Sequence, residues 1–403
     1  MTNPILDRRD FFGGTGLVAL AALGGTPALA QTMAGGNVAS GDEAILSEGM
    51  AHLAGVIGSF PSQFAALGAP ATALDMAEGY RLFIRYLTIG IDQYVQYGDP
   101  AFPAFHQNTR DGVRKFAGDS PEQLYDGVSV SADHDYVITG DLRETALIEF
   151  TLYSGALRAG STQRRLIASL TDETLKRGTD GSFTVHINRK GEGENAIRLE
   201  PDASSLLVRR YLRDPRKDRP RPLLIERVSA GPSFPPLKAE ALSKAIVAAA
   251  DFAMWNVKTW AKWVVERDRA VRINALGAFQ DTGDIYTPAG HRYLSGYWRV
   301  PDDKALMISF KPPPEAYWSF VPMNFWMESF EWRFGNQVFA SSFATPLSED
   351  GYARFALASR DPGVKNFQWI ETMGHNEGPM SLRLARYEGA MPDIRCELVP
   401  LRS

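Results

Sequence analysis

Two blocks of short alternating runs constrain this chain more than any other feature. In the first, from Tyr125 to Val228, "DYVITG", "ALIEFTLYS", "SFTVHINRK" and "SLLVRRYL" each place apolar residues at every second position. Gly, Asp or Pro bounds each run, which is the pattern of strands ended by turns. The second block runs from about Tyr293 to the end, with "KALMISFKP", "YWSFVPMNFWMESFEWRF", "ARFALASRD" and "MSLRLARYEG". Period-two runs of this length require sheets with one face turned to a core. Short strands with such turns predict antiparallel, jelly-roll-like β-sandwiches. "TDGSF" at 179–183 has the composition of a hairpin turn, Asp180-Gly181 supplying the positive φ angles.

Helical texture separates the blocks. "ATALDMAEGYRLFIRYLTIGIDQYV" sets Leu74, Ala77, Tyr80, Leu82, Ile84 and Leu87 near helical spacing, with Asp75 and Glu78 offset from them. Gly98, Pro100 and Pro103 stop that segment. A second helical stretch covers 236–269, and its Trp255, Trp260 and Trp263 suit either burial against a sheet or a pocket wall. The expected organisation is a signal peptide over 1–30, a linker and helical segment over 31–100 and a first sandwich over 101–235. A helical connection over 236–270 and a second sandwich over 271–403 follow. No repeat of 20–50 residues stands out, although the two β blocks are similar in size.

The beginning of the chain reads as an export signal. Arg8 and Arg9 precede Phe11 and Phe12, a Gly- and Ala-rich apolar run follows, and Ala28-Leu29-Ala30 fits a cleavage site. The arginine pair suits the twin-arginine export machinery, which predicts a periplasmic or secreted protein. No later stretch reaches about 18 apolar residues in a row, so no permanent membrane anchor is expected. The single cysteine, Cys396, excludes an internal disulfide or a CxxC pair. With 43 basic against 47 acidic residues, there is no basic footprint for nucleic acid.

Several motifs together resemble an exported bacterial family known as a domain of unknown function. Its C-terminal signature is close to P-G-x-x-N-W-x-x-T-x-G-H-x-x-G-x-x-x-x-R. Pro362-Gly363, Trp369, Thr372, Gly374-His375, Gly378 and Arg383 match it. Trp318, Ser319, Asn324, Trp326 and Ser329 match an upstream "YWSFQLxNxWxES" segment, and "GDSPEQLY" is similar to a third. The sequence departs at Ser120, where Asn is usual, and carries two extra residues before Trp369, so that Gln368 precedes it. The resemblance covers most of the chain from about residue 100 and implies a jelly-roll sandwich. It implies no particular reaction, and a jelly roll hosts many.

Candidate site residues cluster in those segments. His375 stands between Gly374 and Asn376, with Glu371 and Glu377 close in sequence, an arrangement that suits a general acid or base. A hydrogen bond fastening the last hairpin is the structural alternative. On a regular strand, Asn324, Trp326 and Glu328 share one face, as in a sugar-binding cleft; Glu328 with a second carboxylate would suit glycoside hydrolysis. Asp119 and Tyr125 supply an acid and a phenol, or a turn cap. Arg209 and Arg210 alternate, so one faces inward; Arg209 is the candidate for binding an anionic substrate, with a structural carboxylate as the alternative partner. His52, His106, His134, His186, His291 and His375 show no metal-binding spacing, so no transition-metal site is expected, while calcium held by turn carboxylates stays open. No motif names a cofactor, and there is no GxSxG elbow. The expected function is an exported acid/base enzyme, a hydrolase or lyase, acting on a small organic or carbohydrate-like molecule. A non-catalytic binding sandwich, or one that assembles into homo-oligomers through its sheets, is the alternative.

Overall fold

Helical segments precede each β block, as the spacing predicts. The computed structural model describes residues 40–109, 112–161, 164–229, 233–278 and 290–401. The expected signal peptide and the linker up to residue 39 lie outside them. Helix α1 (Ser40–Phe64) is followed by α2 (Ala73–Gly90), which runs on as a π-helical turn over Ile91–Gln96. Thr72 caps α2: its hydroxyl accepts from the Asp75 backbone N–H at 3.0 Å.

The first sandwich comprises β1 (His106–Thr109), β2 (Gln123–Ser129), β3 (Tyr136–Asp141), β4 (Leu147–Ser154), β5 (Arg165–Thr171), β6 (Ser182–Asn188), β7 (Ile197–Arg198), β8 (Ala203–Tyr211) and β9 (Leu224–Arg227). Its sheets run β1-β2-β8-β4-β5 and β7-β6-β3-β9. Helix α3 (Ala239–Trp263) follows and also ends in a π-helical turn, Val264–Arg269. The second sandwich comprises β10 (Gly277–Ala278), β11 (His291–Arg299), β12 (Lys304–Phe310), β13 (Tyr317–Pro322), β14 (Ala340–Ser341), β15 (Ala353–Ala358), β16 (Gln368–Glu371), β17 (Glu377–Ala385) and β18 (Ile394–Pro400). Its sheets run β10-β11-β17-β13-β14 and β16-β15-β12-β18.

Adding nine to each strand number converts the first sandwich into the second. Even the parallel edge pairs, β6 with β7 and β15 with β16, correspond. The chain is thus a structural duplication of one unit: a helix with a π-helical end, then nine strands. The Asp-Gly turns match as well. Gly181 (φ 84°) and Gly351 (φ 80°) stand at the same place in the two halves. The first of these turns does not close a hairpin, contrary to the expectation from "TDGSF". It carries the chain from β5 in one sheet to β6 in the other, and the two strands do not pair.

Each sandwich buries an apolar core between its two sheets. Ile148, Phe150, Leu152, Leu206 and Val208 meet Ile138, Val185 and Ile187 in the first. Trp298, Trp318, Phe320, Leu382 and Leu384 meet Leu306, Ile308, Phe310 and Phe355 in the second. A third core joins the helices to the second sandwich, with Leu82, Phe83, Tyr86, Phe252, Val257 and Trp260 around Phe325 and Trp326. The opposite faces of the five-stranded sheets are polar, and they face each other. The Tyr211 and Tyr317 rings meet edge-on with centroids 5.0 Å apart, and Tyr211 Oη lies 2.8 Å from His291 Nε2. Among the described residues no helix is long and apolar enough to cross a membrane.

Gly378 on β17 lets that strand run tightly beneath the chain leaving β13. A Cβ there would stand 2.1 Å from the Met323 carbonyl oxygen, which also accepts from Trp298 Nε1 at 3.1 Å. Gly378→Ala is expected to cost about 1–3 kcal/mol through overpacking. Urea unfolding of the two proteins measures this, and equal midpoints would refute the close approach.

Candidate functional site

A cavity of about 170 Å³ lies between the facing polar sheets. The duplicated strands bring matching residues to it. Tyr125 of β2 pairs in register with Arg209 of β8, and Tyr293 of β11 pairs with Arg383 of β17. Cross-strand partners share a face, so each pair presents a phenol beside a guanidinium. On the other side of Arg209 stands Glu149 of β4; at the matching position beside Arg383 stands Ser319 of β13.

The two arginines therefore differ in company. Arg209 donates from Nη1 to Thr151 Oγ1 at 3.1 Å and from Nη2 to Tyr153 Oη at 3.3 Å. Burial opposes its charge, but Tyr153 and Glu149 hold it firmly protonated. Arg383 donates from Nη2 to the Gly118 carbonyl, while its Nε and Nη1, both buried, have no partner. Burial also raises both phenols, Tyr293 to about 12, so they stand neutral as donors.

Helix α3 and its π-helical end complete the walls with Trp260, Trp263 and Asp268. The Trp residues thus serve both readings made of them, packing in the helical core and lining a cavity. Asp268 is 2% exposed, and its Oδ1 has no partner. Burial pushes its carboxyl up to about 7, against the opposing pull of Ser295, Arg272 and Arg267.

Four of the expected site residues meet elsewhere, where helix α2 docks on the second sandwich. "NFWMESF" is not a strand: β13 stops at Pro322 and the chain turns, with Met327 at φ 58°. Asn324 makes the turn, its Oδ1 accepting from the backbone N–H groups of Trp326 and Glu328, both at 3.0 Å. Its Nδ2 donates to Glu78 Oε2 at 2.7 Å and Glu328 Oε2 at 3.2 Å. Trp326 Nε1 donates to the Asp75 carbonyl at 2.8 Å. Arg85 pairs with Glu328, and Arg81 pairs with Glu78 at 2.9 Å.

His375 closes this network. Its Nε2 stands 3.2 Å from Glu78 and its Nδ1 3.4 Å from Asp75, while Phe330 stacks on the ring. The glycine beside it does what the sequence suggested: Met373 and Gly374 both adopt positive φ (52° and 82°), and the turn they form presents the imidazole. The partner carboxylates come from α2, not from Glu371 or Glu377. Burial works against protonation, but Asp75 and Glu78 outweigh it and push His375 up to about 9. At neutral pH it is an imidazolium set between two carboxylates, its Nδ1 paired with Asp75 by charge alone, without a hydrogen bond. Asp75, Glu78 and His375 each offer a ligand atom within 4.8 Å of the others, yet the carboxylates approach opposite ring nitrogens instead of a shared centre.

Asp119 belongs to neither group. It accepts from the Ser329 N–H at 3.0 Å and the Ser329 hydroxyl at 2.6 Å, lies 3.7 Å from Lys115, and borders a separate cleft of about 740 Å³. The structure thus brings Tyr125 and Arg209 to the cavity. It gathers His375, Asn324, Trp326 and Glu328 at the helix contact, and Asp119 ties two loops together. Sequence reasoning missed Asp268, Tyr293 and Arg383 as cavity residues, and Asp75, Glu78, Arg81 and Arg85 as partners of His375 and Glu328. A signal for the last four existed, because their spacing puts them on one helical stripe.

No protein-family model and no curated protein matches the chain. Among solved structures, the chain is similar to an uncharacterised protein from Burkholderia cenocepacia. The two are 26% identical and superpose with a TM-score of 0.82 over 89% of this chain and 99% of that one. They share the fold. The VPA0106 protein from Vibrio parahaemolyticus aligns at 11% identity and a TM-score of 0.43 over 79% of this chain and 96% of that one.

Because His375 is raised in the folded state, the stability it contributes is complete below about pH 6.5 and is lost as pH rises through about 9. His375→Asn removes the positive charge between Asp75 and Glu78 while leaving Glu78 its Arg81 and Asn324 partners and Asp75 its Thr72 hydroxyl, and is expected to cost on the order of 1–3 kcal/mol at pH 6. Denaturant unfolding between pH 6 and 10 checks both statements; a wild-type profile as flat as the variant's would refute the clamp.

Proposed function

We propose that the chain is an acid/base enzyme, a hydrolase or lyase, acting on a small organic molecule held in the cavity between the two sandwiches. The observation that carries this reading is Asp268: a buried carboxyl in the cavity wall, with one oxygen unpartnered and a pKa pushed by burial to about 7. Such a group exchanges a proton in either direction near neutral pH, which is what general acid/base catalysis needs. Tyr293 is a neutral phenol in the cavity wall, Tyr125 already donates its proton to Gln123 Oε1 at 2.8 Å, and the guanidiniums favour negative charge developing beside them. His375 is poorly suited to the role of base, since it is already protonated and its neighbours hold the proton. The cavity holds on the order of ten water-sized positions, which suits a small acid or a single sugar and no longer chain.

Carboxyl-detected NMR of the protein labelled at aspartate is expected to show one residue titrating near pH 7, and Asp268→Asn removes that signal. Titration of every aspartate below pH 5 would sink the proposal. The same raised pKa means that the neutral form's stability is complete below about pH 4 and is lost as pH rises through 7. Asp268→Asn flattens that slope by on the order of 4 kcal/mol, at about 1.4 kcal/mol per pH unit.

We also infer that the protein acts after export, in the periplasm or outside the cell; the paired Arg8 and Arg9 ahead of an apolar run support this. Replacing both by Lys is expected to hold the chain in the cytoplasm, read by cell fractionation; unchanged export would exclude the twin-arginine route.

A further inference from the structure

We propose that Arg383 receives the carboxylate of a small aromatic acid, which is the substrate class of the cavity. This rests on the reading of the cavity as the substrate site. Arg383 is 6% exposed, and two of its three nitrogens, Nε and Nη1, have no partner. A buried cation with open donors is costly unless something accepts from them. Duplication supplies the comparison within the same molecule. In the first half Glu149 stands beside Arg209, and Thr151 and Tyr153 accept from it; in the second half the strand position of Glu149 is taken by Ser319. Asp119, whose charge also reaches Arg383, is already engaged by Ser329 and Lys115. Arg164, over the Tyr153 ring, and Asp268 line the same cavity, and Arg383 brings to it a guanidinium with two buried open nitrogens, whose planar fork suits a carboxylate.

The rest of the ligand must suit the remaining walls. Trp260, Trp263, Phe116 and Met327 line the cavity opposite the sheets. Flat aromatic walls favour a flat apolar body. A carboxylate on a single ring has about the number of heavy atoms that the volume admits.

Isothermal titration with benzoate and with its neutral isostere benzamide tests the assignment. Benzoate is expected to bind at least tenfold more tightly. Arg383→Met is expected to abolish the preference while benzamide binding persists, and Arg383→Lys to retain part of it. Equal affinities, no benzoate binding, or a preference that survives Arg383→Met would overturn the proposal. Should Arg383→Met not fold, crystals of the wild-type chain soaked in 4-bromobenzoate decide. A carboxylate within hydrogen-bond distance of Arg383 Nε or Nη1, with the bromine toward the tryptophans, supports it. An empty cavity, or a ligand held elsewhere, overturns it. The two readings fail separately. Benzoate bound through Arg383 with no aspartate titrating near 7 would leave a binding site without acid/base chemistry. An aspartate titrating near 7 with benzoate ignored would leave the chemistry and remove the substrate class.

Discussion

The structure depends on two polar sheet faces having to satisfy one another. Each five-stranded sheet spends its apolar face on its own sandwich core, so its other face carries Tyr, Arg, Glu, Ser and Thr. Burying such a face against another is tolerable only when its polar groups find partners. Glu122 shows how this is met at the rim. It is fully buried, accepts from the Tyr317 hydroxyl at 2.7 Å and the Ser341 hydroxyl at 2.6 Å, and so ties the first half to β13 and β14 of the second. Burial raises it to about 7, the cost of a carboxyl placed where it can reach both sandwiches. Directional bonds of this kind fix the separation of the faces. Apolar faces would have closed upon each other, whereas these meet at their rims and leave a cavity between Arg209 and Arg383.

The helices seal what the sheets leave open. Helix α3 joins the two halves in sequence and packs against α1 and α2 in the third core, where Asn256 donates to the Leu157 carbonyl at 2.9 Å and anchors the helix to the loop after β4. That anchoring sets Trp260 and Trp263 over the cavity and brings the π-helical turn with Asp268 to its wall. Helix α2 takes part indirectly. Its charged stripe locks onto Glu328, Asn324 and His375, and so holds the turn over residues 323–329. The same turn supplies Met327 to the cavity and the Met327 carbonyl that accepts from the Gly118 N–H at 2.7 Å. The signature residues around His375 thus support the cavity from behind.

Much of the fold was legible in the sequence because period-two alternation and Gly, Asp and Pro punctuation are local signals. The order of helices and β blocks follows from them. The duplication was not legible, since it survives as strand order and register with few matching residues; the paired Asp180-Gly181 and Asp350-Gly351 turns are its clearest sequence trace. "NFWMESF" misled because its composition suits a strand, while the Asn324 side chain bonds its own backbone and turns the chain. Arg209 and Arg210 were legible as one inward and one outward residue, with Arg209 the candidate for the site. Both are buried on opposite faces, Arg210 against Asp126 at 2.7 Å and Arg209 in the cavity. The partners of His375 were hidden because Asp75 and Glu78 lie off the apolar stripe of α2 and read as solvent-facing. A charged stripe is solvated by default, and only the long-range approach of residues almost 300 positions away makes it an interior surface.

Duplication also explains how a nearly symmetric scaffold acquires a cavity with two unlike ends. Two copies of one fold, with their polar faces opposed, yield two Tyr–Arg pairs at matching registers. Had both copies kept a carboxylate beside the arginine, the charges would be balanced in each half and the cavity would have no preferred end. Glu149 stands in the first half, where Arg209 is also bonded to Thr151 and Tyr153. In the second half Ser319 provides no charge, and Arg383 keeps open donors. The cavity is polarised as a result: both arginines line it, but Arg209 is bonded to Thr151 and Tyr153 while Arg383 keeps open donors. The buried Asp268 comes from the helix end that precedes the second sandwich, so the open guanidinium and the buried carboxyl both belong to the same half of the duplication.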